Sequence, residues 1–176
     1  MSGYRKLSRK SSLRHALLKN QVTAFIVNGH VTTTLARAKE VQKIAEKLIT
    51  LAVTEQQNFD SKEVIVSKAK LDDKGRKLLQ SRKSKNDRAY DVVTREKSTK
   101  LVQVDRPSRL AARRQMLAYM LEMSDKEGKK VNTVNHLFNN VAPKYTDRKG
   151  GYSRVIKLGQ RVGDGAEMVR LELLEV

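Results

Sequence analysis

The sequence predicts an α+β fold. It reads as a two-layer α/β domain in the order helix, strand, three helices and two strands, with a short mixed sheet, a basic N-terminal arm and a charged insertion. Three patterns lead there. Apolar residues recur at three-four spacing through Ala38, Val41, Ala45, Leu48 and Ala52, as on an amphipathic helix. Apolar and charged residues alternate on both sides of Gly163-Asp164-Gly165, as in a hairpin. Between about Asn58 and Asp105 neither period holds.

The first acid in the chain is Glu40, and Arg5, Lys6, Arg9, Lys10, Arg14, Lys19, Arg37 and Lys39 all precede it. Residues 1–10 have no apolar period and read as a basic arm that orders on a polyanion. Ser11 and Ser12 are candidate N-caps for the first helix. Its stripe is Leu13, Leu17, Leu18, Val22, Phe25 and Ile26, and Asn28-Gly29 stops it. Arg14 and Lys19 fall off that stripe and extend the basic surface. The run His30–Thr34 is β-branched and reads as a strand, and Thr34 can cap the second helix. Glu40, Lys43, Glu46 and Lys47 are expected on the wet side of that helix.

Residues 58–107 read as a charged extension outside the core, or equally as a solvated linker. Two β-like runs, Val64–Val66 and Leu101–Val104, bracket it, and Leu78 and Leu79 can share a helical turn. Pro107 suits the first turn of a helix. There Leu110, Ala111, Met116, Leu117, Met120 and Leu121 form the expected stripe, with Arg113 and Arg114 off it. Glu127-Gly128 breaks the chain. Val131 to Val141 makes a further helix, expected to end near Ala142 because Pro143 restricts the residue before it. In the hairpin, Ile156, Leu158 and Val162 are assigned one face with Val169, Leu171 and Leu173. That assignment predicts a four-residue loop, Gly163–Ala166, with Lys157 opposite Glu172 and Arg154 opposite Glu175.

Charge bounds the function. The 176 residues carry 37 lysines and arginines against 19 acids, a net +18. Such a field favours a polyanion, nucleic acid ahead of an anionic membrane. An apolar fraction of 39% without tryptophan predicts a small core. Absence of cysteine excludes disulfides, thiolate metal sites and a cysteine nucleophile. No apolar run has the length of a bilayer span, and the basic N-terminus lacks the apolar segment of a secretory signal. His15, His30 and His136 are scattered, so no metal or cofactor site is expected, and no paired carboxylates or nucleophile motif suggest catalysis.

The densest candidate site is KYTDRKGGYSRVIK, Lys144 to Lys157. It gathers Lys144, Arg148, Lys149, Arg154 and Lys157 around Gly150-Gly151, with Tyr145 and Tyr152 among them. Cations with interleaved aromatics suit phosphates and exposed bases. The same stretch alone equally suits a solvated turn. Arg37, Lys39, Arg113 and Arg114 join the candidate RNA-binding set through their charge. Two further classes stay open on composition: a DNA- or RNA-binding regulatory protein, and an RNA-processing enzyme.

The run TLARAKEVQKIAEKLITLA at 34–52, the run from Val134 to Val176 and the basic opening resemble the bacterial ribosomal proteins of the L-seventeen family, over about residues 4–57 and 108–176. That resemblance implies one ribosomal-protein domain, residues 1–176, of two-layer α/β architecture, cytoplasmic on the ribosome. It implies no enzymatic activity, no cofactor and no small-molecule substrate. It implies a structural role on 23S rRNA near the polypeptide exit tunnel, beside other large-subunit proteins. Arg5, Lys6, Arg9, Lys10, Arg14 and Lys19 take the arm's RNA-binding role; Arg148, Lys149, Gly150, Gly151, Tyr152 and Arg154 take the loop's. A His-Arg pair typical of the family reads Leu13-Arg14 here, so His15 inherits no role. Residues 58–107 have no counterpart in compact members.

Overall fold

A computed structural model describes residues 4–124, 128 and 130–174. It divides into two units, Met1–Asn58 with Asp105–Val176, and Phe59–Val104. The chain order is α1 (Ser11–Asn28), β1 (His30–Thr34), α2 (Leu35–Thr54), β2 (Phe59–Ala69), β3 (Leu79–Lys83), β4 (Ala89–Val93) and β5 (Arg95–Asp105). There follow α3 (Pro107–Tyr119), β6 (Met123–Ser124), β7 (Lys130–Val131), α4 (Thr133–His136), β8 (Ser153–Gln160) and β9 (Glu167–Leu173).

In the first unit α2 buries the face its spacing predicts: Ala38, Val41, Ala45, Leu48, Ile49 and Ala52 are all 2% exposed or less. Around it pack Leu18, Val22, Phe25 and Ile26 of α1, Met116 and Met120, Leu137 and Phe138, and Val169 and Leu171 of the sheet. α1 ends at Gly29, whose φ of +76° is the left-handed turn glycine adopts without strain. Thr34 takes the cap position of α2 as expected, but neither predicted side-chain cap bond forms. Ser11 already lies inside α1, with Lys10 in the cap position, and the Thr34 side chain bonds no helix amide.

α3 is rotated from the expected stripe. Its buried residues are Arg109, Ala112 and Met116, while Leu110, Leu117 and Leu121 are exposed. Arg109 occupies the inward position because its guanidinium stacks on Phe138, 4.7 Å from the ring centroid, and sits 3.4 Å from Asp105. Periodicity counts an arginine as polar and therefore places the face one residue away. α4 also differs. Asn132 caps it by accepting from the Asn135 amide at 3.0 Å, and the helix widens to a π turn over Leu137–Val141. It then runs through Pro143 as a 3-10 turn, Ala142–Tyr145. Proline sits in the first turn of that segment, where its missing N–H costs nothing.

The sheet is antiparallel throughout, order β1-β9-β8, rather than mixed. β1 pairs with a strand far along the chain, and no local pattern gives that direction. In the hairpin Arg154 lies opposite Glu172 and Lys157 opposite Val169, with a register shift between Lys157 and Gly159. The predicted pairing is therefore wrong in phase. Ser153 and Val155 turn toward the core opposite Leu173 and Leu171, while Ile156, Leu158 and Val162 are exposed. Ser153 is held inward by its hydrogen bonds to Glu46 and Gln42 of α2, which fixes that phase. The loop spans six residues between Gln160 and Glu167, closed by Arg161 N–H to the Ala166 carbonyl at 3.0 Å and by the Arg161–Asp164 ion pair. Hydrogen bonding from Arg161 lowers the pKa of the Asp164 carboxyl to about 2. The Glu175 half of the expected pairing, and Glu127 of the expected break, lie outside the described residues.

The second unit is a hydrogen-bonded ribbon. None of residues 59–104 is buried. β2 pairs with β5, containing the two β-like runs, and β3 pairs with β4 in an antiparallel hairpin, so Leu79 is in a strand rather than a helical turn. Three segments meet where backbone bonds run in a ring. Lys70 N–H donates to Thr94, Thr94 N–H to Leu78, and Leu78 N–H to Lys70, at 2.8, 2.9 and 2.9 Å. This ring gives the junction its backbone partners without side-chain packing.

The strand phase is open to direct test. Leu171→Ala should lose about 2–5 kcal/mol in denaturant unfolding, whereas Ile156→Ser should change stability by less than about 0.5 kcal/mol; a large loss at Ile156 would restore the rejected phase. His136 offers a test by pH, because burial, aided by Lys144, holds its pKa below the ordinary value. The folded state thus favours neutral imidazole. Its stabilising contribution is complete above the unfolded value near 6.5 and falls as pH drops through that value toward the folded one. Thermal unfolding between about pH 7.5 and 5.5 should show this slope, and His136→Gln should flatten it.

Candidate nucleic-acid interface

The arm is built on one arginine. Arg14 projects from the first turns of α1, and its Nη2 meets Oε2 of Glu40 at 2.7 Å. Its Nε donates to the Arg5 carbonyl at 2.7 Å, and its guanidinium lies over the Tyr4 ring at 4.6 Å. Glu40 is 5% exposed, on the inner side of α2 rather than the wet side. Arg14 is thus the counter-ion of a buried carboxylate and the anchor of residues 4 and 5. Leu7, at φ +56°, adds a partly buried apolar contact. Around this anchor Lys6, Arg9 and Lys19 line a cleft of about 530 Å³, joined by Lys43 and Tyr119. Arg5 and Lys39 line an adjoining hollow. Lys10 is exposed beside them in sequence.

The glycine loop rests on two enclosed tyrosines. Tyr145 and Tyr152 are 2% and 1% exposed and meet edge to face, centroids 5.2 Å apart. The Tyr145 hydroxyl donates to the Leu174 carbonyl at 2.6 Å, and burial raises its pKa, so it stays a donor. The Tyr152 hydroxyl donates to the Arg148 carbonyl at 3.2 Å. Ser153 beside it donates to Glu46 at 2.9 Å and accepts from Gln42 at 3.2 Å. Tyr152, a candidate RNA ligand from sequence, therefore leaves no ring face for a base; it holds the loop from beneath. Gly150 at φ +150° and Gly151 at φ +61° turn the backbone where a side chain would be strained. Arg148 Nε donates to the Gly150 carbonyl at 3.1 Å, and Arg148 and Lys149 are both exposed.

A second cleft, about 860 Å³, opens between the end of α1, the 3-10 turn and the sheet. Arg154, Lys144, Arg170 and His30 line it around Glu172. Glu172 pairs with Arg154 at 2.5 Å and Arg170 at 3.5 Å. Lys43, Tyr119, Arg170 and His30 are not singled out by the sequence as RNA ligands. The charge pattern shows Lys43 and Arg170 on polar faces, but only the fold brings them to a cleft.

Other candidates separate. Arg113 is committed inside the fold, bonded to Asp105 at 2.6 Å and Asn135 at 2.6 Å, and lies over Phe138 at 5.1 Å. The Arg113 hydrogen bond is the main cause holding Asp105 below the usual carboxylate value. Arg37, Arg114 and Lys157 line neither cleft; Arg114 and Lys157 are exposed. Among the described residues no group of three or more His, Cys, Asp or Glu could hold a metal ion, and no helix is long and apolar enough to cross a membrane.

Known proteins share this chain's sequence over nearly its whole length. Residues 17–174 match the family described as Ribosomal protein L17. A large ribosomal subunit protein bL17 of Acetivibrio thermocellus is 51% identical over 174 residues, covering 99% of this chain and all of the relative. Those of Ruminiclostridium cellulolyticum and Lachnospira eligens are 53% and 46% identical, each over 99% of this chain and all of the relative. These alignments therefore continue through the region 58–107.

Removing Arg14 would strand the Glu40 carboxylate. Arg14→Ala should cost about 3–5 kcal/mol, as when one partner of a buried pair is deleted, and Tyr152→Phe about 0.5–1.5 kcal/mol. Chemical denaturation reads both; an Arg14→Ala protein of wild-type stability would show that the pair does not anchor the arm.

Proposed function

The chain belongs to the ribosomal protein L17 family, a structural constituent of the large ribosomal subunit and not an enzyme, and on that premise we propose that its two basic clefts and glycine loop seat it on 23S rRNA. It partners with rRNA and other ribosomal proteins as a member of that subunit. The finer reading concerns which residues touch RNA. Lys6, Arg9, Lys10 and Lys19, with Arg5, Lys39 and Lys43, are the arm's phosphate ligands. Arg148 and Lys149, with the backbone at Gly150-Gly151, are the loop's. Arg154, Lys144 and Arg170 serve the second cleft, and Arg37, Arg114 and Lys157 add peripheral charge. Arg14, Arg113 and Tyr152 act by positioning. In assembled subunits the protein lies near the polypeptide exit tunnel beside neighbouring proteins, as the family resemblance implies, in the cytoplasm.

The observation that carries this reading is the sorting of cations. Those that neutralise the covered acids Glu40 and Asp105 are buried or half-buried around the core, while Arg148, Lys149, Arg9 and Lys10 stand exposed. Phosphates neutralised by such exposed groups release counterions, so affinity falls steeply with salt. A-form RNA and irregular single strands are recognised by shape and backbone, which suits a glycine loop that can approach closely.

Filter binding to 23S rRNA fragments over a salt series tests the assignment. Arg148→Ala with Lys149→Ala should weaken binding and reduce the slope of log affinity against log salt by roughly 0.7–0.9 for each phosphate left without its cation. An unchanged slope would remove the loop from the interface.

A further inference from the structure

The extension carries 13 lysines and arginines against seven acids between Phe59 and Val104. Its β3–β4 hairpin keeps its strand acid off one face. The register, from Leu79↔Val93 to Lys83↔Ala89, places Leu79, Ser81, Lys83 and Asp91 on one face. There Ser81 donates to Asp91 at 2.5 Å, and Lys83 pairs with Asp87 of the turn at 3.4 Å. The opposite face shows Gln80, Arg82, Tyr90 and Val92, and no acid. Arg82 stands directly across from Tyr90, which is 48% exposed. The turn beyond them adds Lys85 and Arg88. Among the described residues Arg82, Lys85 and Arg88 make no ion pair.

We propose that the Arg82–Tyr90 face of this hairpin is a further RNA-binding surface, separate from the arm and the glycine loop, that holds an irregular or single-stranded segment of rRNA. The inference rests on the ribosomal reading above and extends it to a part of the chain without a core. Arg82, Lys85 and Arg88 neutralise consecutive backbone phosphates, and the Tyr90 ring stacks on a base turned out of its helix. Charge complementarity selects this occupant. The hairpin spends its two acids on Ser81 and Lys83 of the other face, so the Arg82 face offers cations and an aromatic ring with no carboxylate to repel phosphate. A half-buried valine with an exposed glutamine and tyrosine between cations also forms too little apolar surface to bury against a protein.

The chain has no cysteine, so a single introduced one can carry an iron chelate that cuts nearby backbone by hydroxyl radicals. Large subunits are assembled with the full-length protein bearing Asn86→Cys, at the hairpin turn, or Asp147→Cys, at the glycine loop. The expected result is discrete rRNA cleavage from both, at different sites. Adding Arg82→Glu and Tyr90→Ala should abolish most of the cleavage from the turn and leave that from the loop. Cleavage from Asp147→Cys alone overturns the hairpin proposal while leaving the ribosomal interface intact. Cutting of a neighbouring protein instead of rRNA from the turn overturns the choice of RNA. Cleavage from neither position removes both readings together.

Discussion

Mutual repulsion among the lysines and arginines is the constraint around which this molecule is arranged. A net +18 cannot be neutralised by the chain's own acids, and at short range like charges destabilise a compact state. The fold answers by placing acids at a few chosen points. Glu40 takes Arg14, Asp105 takes Arg109 and Arg113, and Glu172 takes Arg154 and Arg170. Each of these carboxylates is mostly covered, so its attraction is screened less than that of a surface pair. Many of the other cations stand exposed on the arm, the loop and the extension, and Arg154 and Arg170 stay open to solvent beside Glu172, where a polyanion can compensate them.

Rigidity at the candidate interface comes from aromatic groups that the interface itself does not expose. Tyr145 and Tyr152 enclose each other beneath the glycine loop, and their hydroxyls hold the carbonyls of Leu174 and Arg148. Phe138 performs a comparable service for two arginines of α3. The glycines above are free of side chains, while everything below them is fixed by packing. A loop so supported gives up little conformational freedom on binding, which favours affinity without new contacts.

Much of this is legible in the sequence. The three-four spacing of α2 and the β-branched run of β1 are local signals, and both elements stand where those signals place them. Membership of the ribosomal family is equally legible, because the segment from Arg148 to Asp164 is distinctive. What escapes local reading depends on tertiary partners. The phase of β8 is set by Ser153 bonding Glu46 and Gln42 of α2 and by Val155 opposite Leu171, against which the exposed Ile156, Leu158 and Val162 give a misleading apolar alternation. The face of α3 is set by Arg109 lying on Phe138, a partner beyond the reach of any local pattern. The extension shows only two β-like runs because strands without a buried face need no alternation; their order comes from backbone bonds at Lys70, Leu78 and Thr94. Which cations are spent on internal carboxylates cannot be read from spacing at all.

The most direct test of the central claim is sedimentation of a tagged copy through a sucrose gradient at low salt, followed by gradients at increasing monovalent salt. The account predicts that the protein travels with the large subunit and is released as salt rises. A protein that runs free of the large subunit at low salt would contradict it.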